Sequence, residues 1–398
     1  MLHLVPTLAF YKSNMHKILI VHTRYLQHGG EDTVFEHETT LLQKKFEVDT
    51  LVFSNKELQF PAFLWEVFNN RESEKRLMEK IDQFQPDVIH LHNFFYKLSP
   101  AIFQVCTKLC IPLVMTIHNY RLLCPSGLLT RNQQPCTLCV NKTFSSPAIR
   151  HKCFKNSALK SAHLASMLAY HHENSTFTKG VSKFIFLTPF AKATFLNSHM
   201  DISESQAVVK PNFIPDFGLS ELNKRNNALL FIGRLSEEKG IPTLLKAMPN
   251  IHQPVEIIGD GPLREEVIAA SLKYPMLKYH GFQDKDFIAA KLKSCSALLF
   301  LSEWYEGLPM TIIEAFSTGT PIICSNIENV RDLVQHGHNG FHFQWGNPKD
   351  LAKIIKEYTI TEQLIQQARK TYQENYTPEQ NLKLLSSIYD SLIKTPVN

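Results

Sequence analysis

No stretch of this chain strings together the ~18 apolar residues that a membrane-spanning helix needs, although 44% of its 398 residues are apolar. The N-terminal LHLVPTLAF is short, is broken by Pro6 and lacks a basic flank, so it makes a poor signal peptide. Met15, just ahead of a lysine and a clean strand, competes with Met1 as the start. No GxGxxG follows any strand, which argues against a dinucleotide cofactor and against hydride transfer. There is no internal repeat and no low-complexity tract. Charge is also scarce in excess, since a formal +5 suits anionic ligands or loose contact with acidic lipid but does not identify a nucleic-acid partner. These absences leave a protein expected in the cytoplasm, with at most peripheral contact at the inner face of the membrane. At this length two domains of roughly 200 residues are expected.

What is present is an alternation of buried strands and helices. Lys17–His22, Asp87–His92, Pro112–His118, Phe184–Leu187 and Ala207–Val209 read as strands. Helical spacing covers Thr33–Leu42, Pro100–Leu109 and 157–172. A second series follows KPNFIPDF (Lys210–Phe217), a two-proline stretch that reads as a linker. The pattern predicts an α/β fold of two doubly wound domains: 1–212, then 213–378, with a tail helix over 379–394 in a closing segment 379–398. Ligand would lie in a cleft at the carboxyl ends of both sheets, closing about the linker before chemistry.

The most informative segment is SEWYEGLPMTIIEAFSTGTP, Ser302–Pro321. It follows the strand run Ala297–Leu301, and Pro309 sits where a helix would begin. Gly319 and Pro321 close that helix. A helix N-terminus at a strand's carboxyl end attracts anions. Glu306 and Glu314 would repel phosphate but accept hydrogen bonds from hydroxyls. A ligand with both phosphate and polyols, a nucleotide sugar, suits the combination. The positive charge comes from FIGRLSEEKG, where Gly233 frees the turn and Arg234 and Lys239 flank a helix expected to start near Ser236 or Glu237. Gly29-Gly30 and Gly259/Gly261 are further loops where backbone can approach a ligand, with plain tight turns as the competing reading. His280-Gly281-Phe282 is a weaker candidate of the same kind.

Asp284 and Asp286 form the one Asp-x-Asp pair, and they read as helix-start charge, so no metal at a diphosphate is required. His90 and His92 share a strand face, but no carboxylate is suitably spaced in sequence for a metal. His118 and Asn119 end another strand. Cys124, Cys136, Cys139 and Cys153 run C-x11-C-x2-C-x13-C within a loop poor in apolar residues. The Cys136-x-x-Cys139 knuckle points to a structural Zn²⁺ rather than a catalytic one, against the reading of four unrelated thiols.

With these residues in view, the chain resembles glycosyltransferase family 4, of retaining GT-B enzymes. EGLPMTIIE, GRLSEEKG, IIGDGP and STGTPII carry the likeness, with the Gly29-Gly30 loop and TIHNY carrying it less closely. The resemblance implies a GT-B fold with an acceptor-binding N-terminal domain and a C-terminal helix, in 379–398, that crosses back to it. It implies that Arg234 and Lys239 hold the donor diphosphate. Glu306 would bind sugar hydroxyls, with the backbone after Gly307, at Leu308 and Pro309, near phosphate. Glu314 would bind the ribose diol, His118 the donor sugar, and Gly30 would lie against the diphosphate. The cysteine-bearing loop 124–153 is similar to that of bacterial members assembling surface polysaccharide or lipopolysaccharide, with glycan or lipid-linked acceptors. The alternatives are a catalytically silent nucleotide-sugar-binding subunit, or a GT-B hydrolase or epimerase.

Overall fold

The computed structural model describes residues 15–26, 29–57, 63–132 and 134–393. The LHLVPTLAF stretch, Met1 and the last residues of the tail lie outside these. Two parallel six-stranded sheets carry the fold. The first orders β2-β1-β3-β4-β7-β8, where β1 is Lys17–Arg24, β2 Glu47–Ser54, β3 Val88–Leu91, β4 Leu113–Ile117, β7 Lys183–Phe186 and β8 Ala207–Val209. A short antiparallel hairpin, β5 (Thr130–Arg131) and β6 (Gln134–Pro135), stands apart from it. The second orders β11-β10-β9-β12-β13-β14, made of β9 Leu229–Ile232, β10 Val255–Ile258, β11 Leu277–Tyr279, β12 Ala297–Phe300, β13 Ile322–Ser325 and β14 Gly340–Phe343. By internal packing the chain divides between Leu113 and Val114.

The burial pattern follows from sequence. β3, β4 and β12 are buried at every residue, as strands covered by helices on both faces must be. In the second sheet, successive residues feed opposite cores. Leu230, Ile258, Leu298 and Cys324 pack into one, and Leu229, Ile257, Leu299 and Ile323 into the other. β2 (EVDTLVFS), an edge strand with most residues half-buried, is not among the expected strands.

Helix ends fall close to their expected places. Pro309 is the N-cap of Met310–Ser317, and Gly319 leaves it at φ +73°. Asp284 caps Lys285–Ser294 by accepting the Phe287 N–H at 2.8 Å, the helix-start role expected of it. The tail helix runs Pro378–Asp390 behind its Thr377 cap. One boundary differs: Glu237–Lys239 is a single 3₁₀ turn, and the helix begins at Ile241 after Gly240 at φ +75°. Among the described residues, no helix is long and apolar enough to cross a membrane.

Candidate active site

In the second sheet the strand order reverses between β9 and β12, and an open α/β sheet binds ligands at such a reversal, outside the carboxyl strand ends. A cavity of ≈130 Å³ lies there, lined among others by Gly233, Lys239, Ser302, Glu306, Pro309 and Met310. Typical small-molecule sites run to about 300–1,000 Å³, so this one can take only part of a large ligand. A larger groove of ≈520 Å³ near Trp345 contains none of the expected residues.

The two loops that follow β9 and β12 are tied together. Lys239 Nζ lies 2.6 Å from Glu306 Oε1, with side chains 23% and 15% exposed. Ser302 donates its hydroxyl to the same carboxylate oxygen. The Glu303 N–H bonds the Glu238 carbonyl at 2.9 Å, and Thr243 donates to Glu303 at 2.6 Å. The Trp304 ring lies 5.8 Å from the Lys239 ammonium. Wholly buried Asn329 donates to the Glu306 carbonyl at 2.8 Å and so fixes the backbone before Gly307. A methyl group on Gly307 would sit 2.6 Å from the His118 carbonyl oxygen, so only glycine lets these segments approach. No side chain caps Met310–Ser317, whose first residues line the cavity.

The geometry therefore brings Gly233, Lys239, Glu306, Gly307, Pro309 and His118 together, with Leu308 buried beneath and Arg234 exposed on the same turn as Gly233. Glu314 sits in the helix, and burial pushes its carboxyl up from the ordinary range, with Lys285 pulling the other way. Ser302 and Asn329 escaped the sequence reading. Ser302 stands in the motif without a distinctive spacing, and Asn329 arrives from 23 residues later.

The glycines after β10 answer a different need. A methyl group on Gly259 (φ +142°) would fall 1.9 Å from the Gly233 carbonyl oxygen, and one on Gly261 2.5 Å from that of Leu235. At both positions glycine makes room for the protein's own backbone. The Gly259 N–H bonds the Gly281 carbonyl at 2.8 Å, and His280 is tied to Glu256 at 2.7 Å. Similarly, Gly29 caps Gly30–Leu42, and its N–H is taken by Asp32 at 2.8 Å. A carboxylate there opposes phosphate, although the space at Gly30 is open.

The histidine reading needs correction. Glu38, 52 residues upstream of His90 in the helix Gly30–Leu42, supplies the carboxylate that spacing could not show. One ligand atom from each of Glu38, His90 and His92 lies within 4.8 Å of the others. All three residues are buried, with His92 3.5 Å from Glu38. His22 beside them bonds Asp32 at 3.0 Å, and burial lowers its pKa despite that carboxylate. The four cysteines of the 124–153 loop line one pocket as free thiols.

Comparison with known proteins bears on this arrangement. Residues 216–376 match the family described as "Glycosyl transferases group 1". An uncharacterized glycosyltransferase of Methanocaldococcus jannaschii is 25% identical over 85% of this chain and 84% of its own. This chain is a glycosyltransferase. Anabaena HepE, solved in complex with UDP, superposes on the glycosyltransferase with a TM-score of 0.66 at 18% identity, covering 94% of this chain and all of its own. WaaG, titled a glycosyltransferase involved in lipopolysaccharide biosynthesis, gives 0.60 at 14% identity, covering 95% of this chain and all of its own. At such identities the likeness is one of fold, and the fold is GT-B.

Proposed function

We propose that the enzyme moves a sugar, with retained anomeric configuration, from a nucleoside-diphosphate sugar to a hydroxyl of a glycan or lipid-linked acceptor in cell-surface polysaccharide assembly. The observation that carries the reading is the Lys239–Glu306–Ser302 cluster at the β9/β12 reversal. It pairs a cation suited to diphosphate with a carboxylate suited to hydroxyls. In the structure these two charges satisfy each other. Donor binding would exchange partners, Lys239 turning with Arg234 to the diphosphate while Glu306, still held by Ser302, accepts from sugar hydroxyls. Glu314 would accept from the ribose diol, and His118 would contact the donor sugar. UDP sugars are the first donors to test, since the similarly folded HepE was solved with UDP.

No side chain here is placed as a covalent nucleophile in this reading. The glycosidic C–O bond breaks toward the diphosphate, whose growing charge Arg234 and Lys239 neutralise. The acceptor oxygen bonds the anomeric carbon on the same face, and its proton passes to a departing phosphate oxygen. Positioning and electrostatics then supply the rate, and no metal is required for the chemistry.

Contact with an anionic membrane face belongs to this reading. Residues 114–172 contain seven Lys and Arg and no Asp or Glu, which leaves the rest of the chain net acidic. Leu128, Leu138, Phe144 and Leu159 are exposed in the same run. The test is turnover with UDP, GDP and ADP sugars and NMR of the product anomer. Glu306→Ala should lower turnover by roughly 10²–10³-fold with unchanged circular dichroism. Unchanged activity refutes the site, and an inverted product refutes retention.

A further inference from the structure

We infer that Cys124, Cys136, Cys139 and Cys153 bind one structural Zn²⁺ as four thiolates, and that this metal holds the loop leading out of β4. The sequence brings the cysteines near one another, and the structure places all four along one pocket, from which the metal would draw the sulfurs together. Each is delivered by a separate turn. Cys124 closes a turn on Tyr120 (N–H to carbonyl, 2.8 Å), and Cys136 follows the β5–β6 hairpin with its N–H on Leu129 at 2.7 Å. Cys139 lies in the next turn, its carbonyl bonded by Lys142 at 3.1 Å. Cys153 follows the five-residue helix Ser146–Arg150, its N–H on Ala148 at 2.9 Å. All four then line one pocket with Arg131 and His151.

Regular structure between Cys124 and Cys153 amounts to two two-residue strands and that short helix. Loops of this length without a core of their own need a staple, and C-x2-C knuckles from separate turns suit closed tetrahedral Zn²⁺. The electrostatics agree. Coordination deprotonates a thiol outright, and the cation's charge holds the thiolates together. A Zn(Cys)₄ unit carries a net −2 charge. No Asp or Glu competes with it anywhere in 114–172, and Arg131 in the same pocket favours the Cys153 thiolate.

The loop's two sides are anchored outside it. His172 Nε2 lies 2.8 Å from the Leu122 carbonyl oxygen, and His199 Nδ1 2.7 Å from that of Val140. The Tyr120 N–H bonds the Gly127 carbonyl at 3.0 Å, so the clamp begins two residues after His118. The metal thus sets where that strand end lies and takes no part in chemistry.

The experiment is metal analysis of full-length protein purified with reductant and without chelator, together with mercurial titration of its thiols. About one zinc per chain should be found, released in step with thiol modification, and Cys136→Ser/Cys139→Ser should lose it while Glu38→Gln keeps it. The wild-type titration decides the matter even if the double variant fails to fold. Metal-free protein with all thiols reactive, a disulfide among the four, or zinc lost in Glu38→Gln but kept in the cysteine variant overturns the inference. The last outcome would put the metal on Glu38, His90 and His92 instead.

Discussion

Replacing Lys239 by methionine removes the ammonium and keeps most of the stem. Its ion pair with Glu306 is partly open to water, at 23% and 15% side-chain exposure. Exposed pairs contribute about 0.2–1 kcal/mol, and Glu306 keeps the Ser302 hydroxyl, so the fold should lose about 1 kcal/mol. For 398 residues unfolding together that lowers Tm by only about 1 °C. Catalysis should suffer far more. Removing one preorganised group that stabilises developing charge costs about 2.7–4 kcal/mol, or roughly 10²–10³ in kcat. Steady-state kinetics beside calorimetry separates the two effects. In the Lys239→Met/Glu306→Gln double variant the losses should not add, because the residues touch. Turnover of Lys239→Met within about threefold of wild type, at whatever Tm, would refute the leaving-group role.

Other outcomes follow from single contacts. Gly259→Ala places a methyl group on the Gly233 carbonyl oxygen and should cost more than about 3 kcal/mol in a denaturant titration, while Gly30→Ala, with open space around it, should cost little. Glu314 has a folded pKa above its unfolded one, so the folded state binds more protons in that window and stability falls as pH rises through it. Glu314→Gln should therefore gain stability over wild type as pH climbs past the ordinary glutamate range, and calorimetry across pH 4–8 reads this. Donor affinity should weaken on acidification at a pH above that range, and the step should vanish in Glu314→Gln. Charge reversal of Lys152, Lys155 and Lys160 should abolish sedimentation with anionic vesicles and leave turnover on a soluble acceptor unchanged.

Much of the candidate site is legible in the sequence because the signals are local. An all-apolar run such as Ala297–Leu301 has few alternatives to a buried strand, and Pro309 ahead of Gly319 and Pro321 brackets a helix. The charge at Asp284 and the C-x2-C knuckle are equally short-range. Glu306, Glu314, Arg234 and Lys239 could be named because each stands at a recognisable strand-to-helix passage. Edge strand β2 and the start of the helix at Ile241 were less legible, since half-burial and glycine geometry shape them more than periodicity does.

Partners far apart in sequence were decided by tertiary structure. Lys239 and Glu306 are 67 residues apart and meet only because β9 and β12 are neighbours at the point where strand order reverses. The pairing of β10 with β9 likewise sets Gly259 against the Gly233 carbonyl, a contact no local pattern shows. Glu38 joins His90 and His92 because a helix and a strand from separate βα units converge at one sheet end. Sequence by itself determined the element types, the residues able to carry phosphate and hydroxyl chemistry, and the cysteine knuckle, because propensity and spacing act over a few residues. Which charges touch, and which glycines stand against another loop's backbone, depended on strand order, which no local pattern encodes.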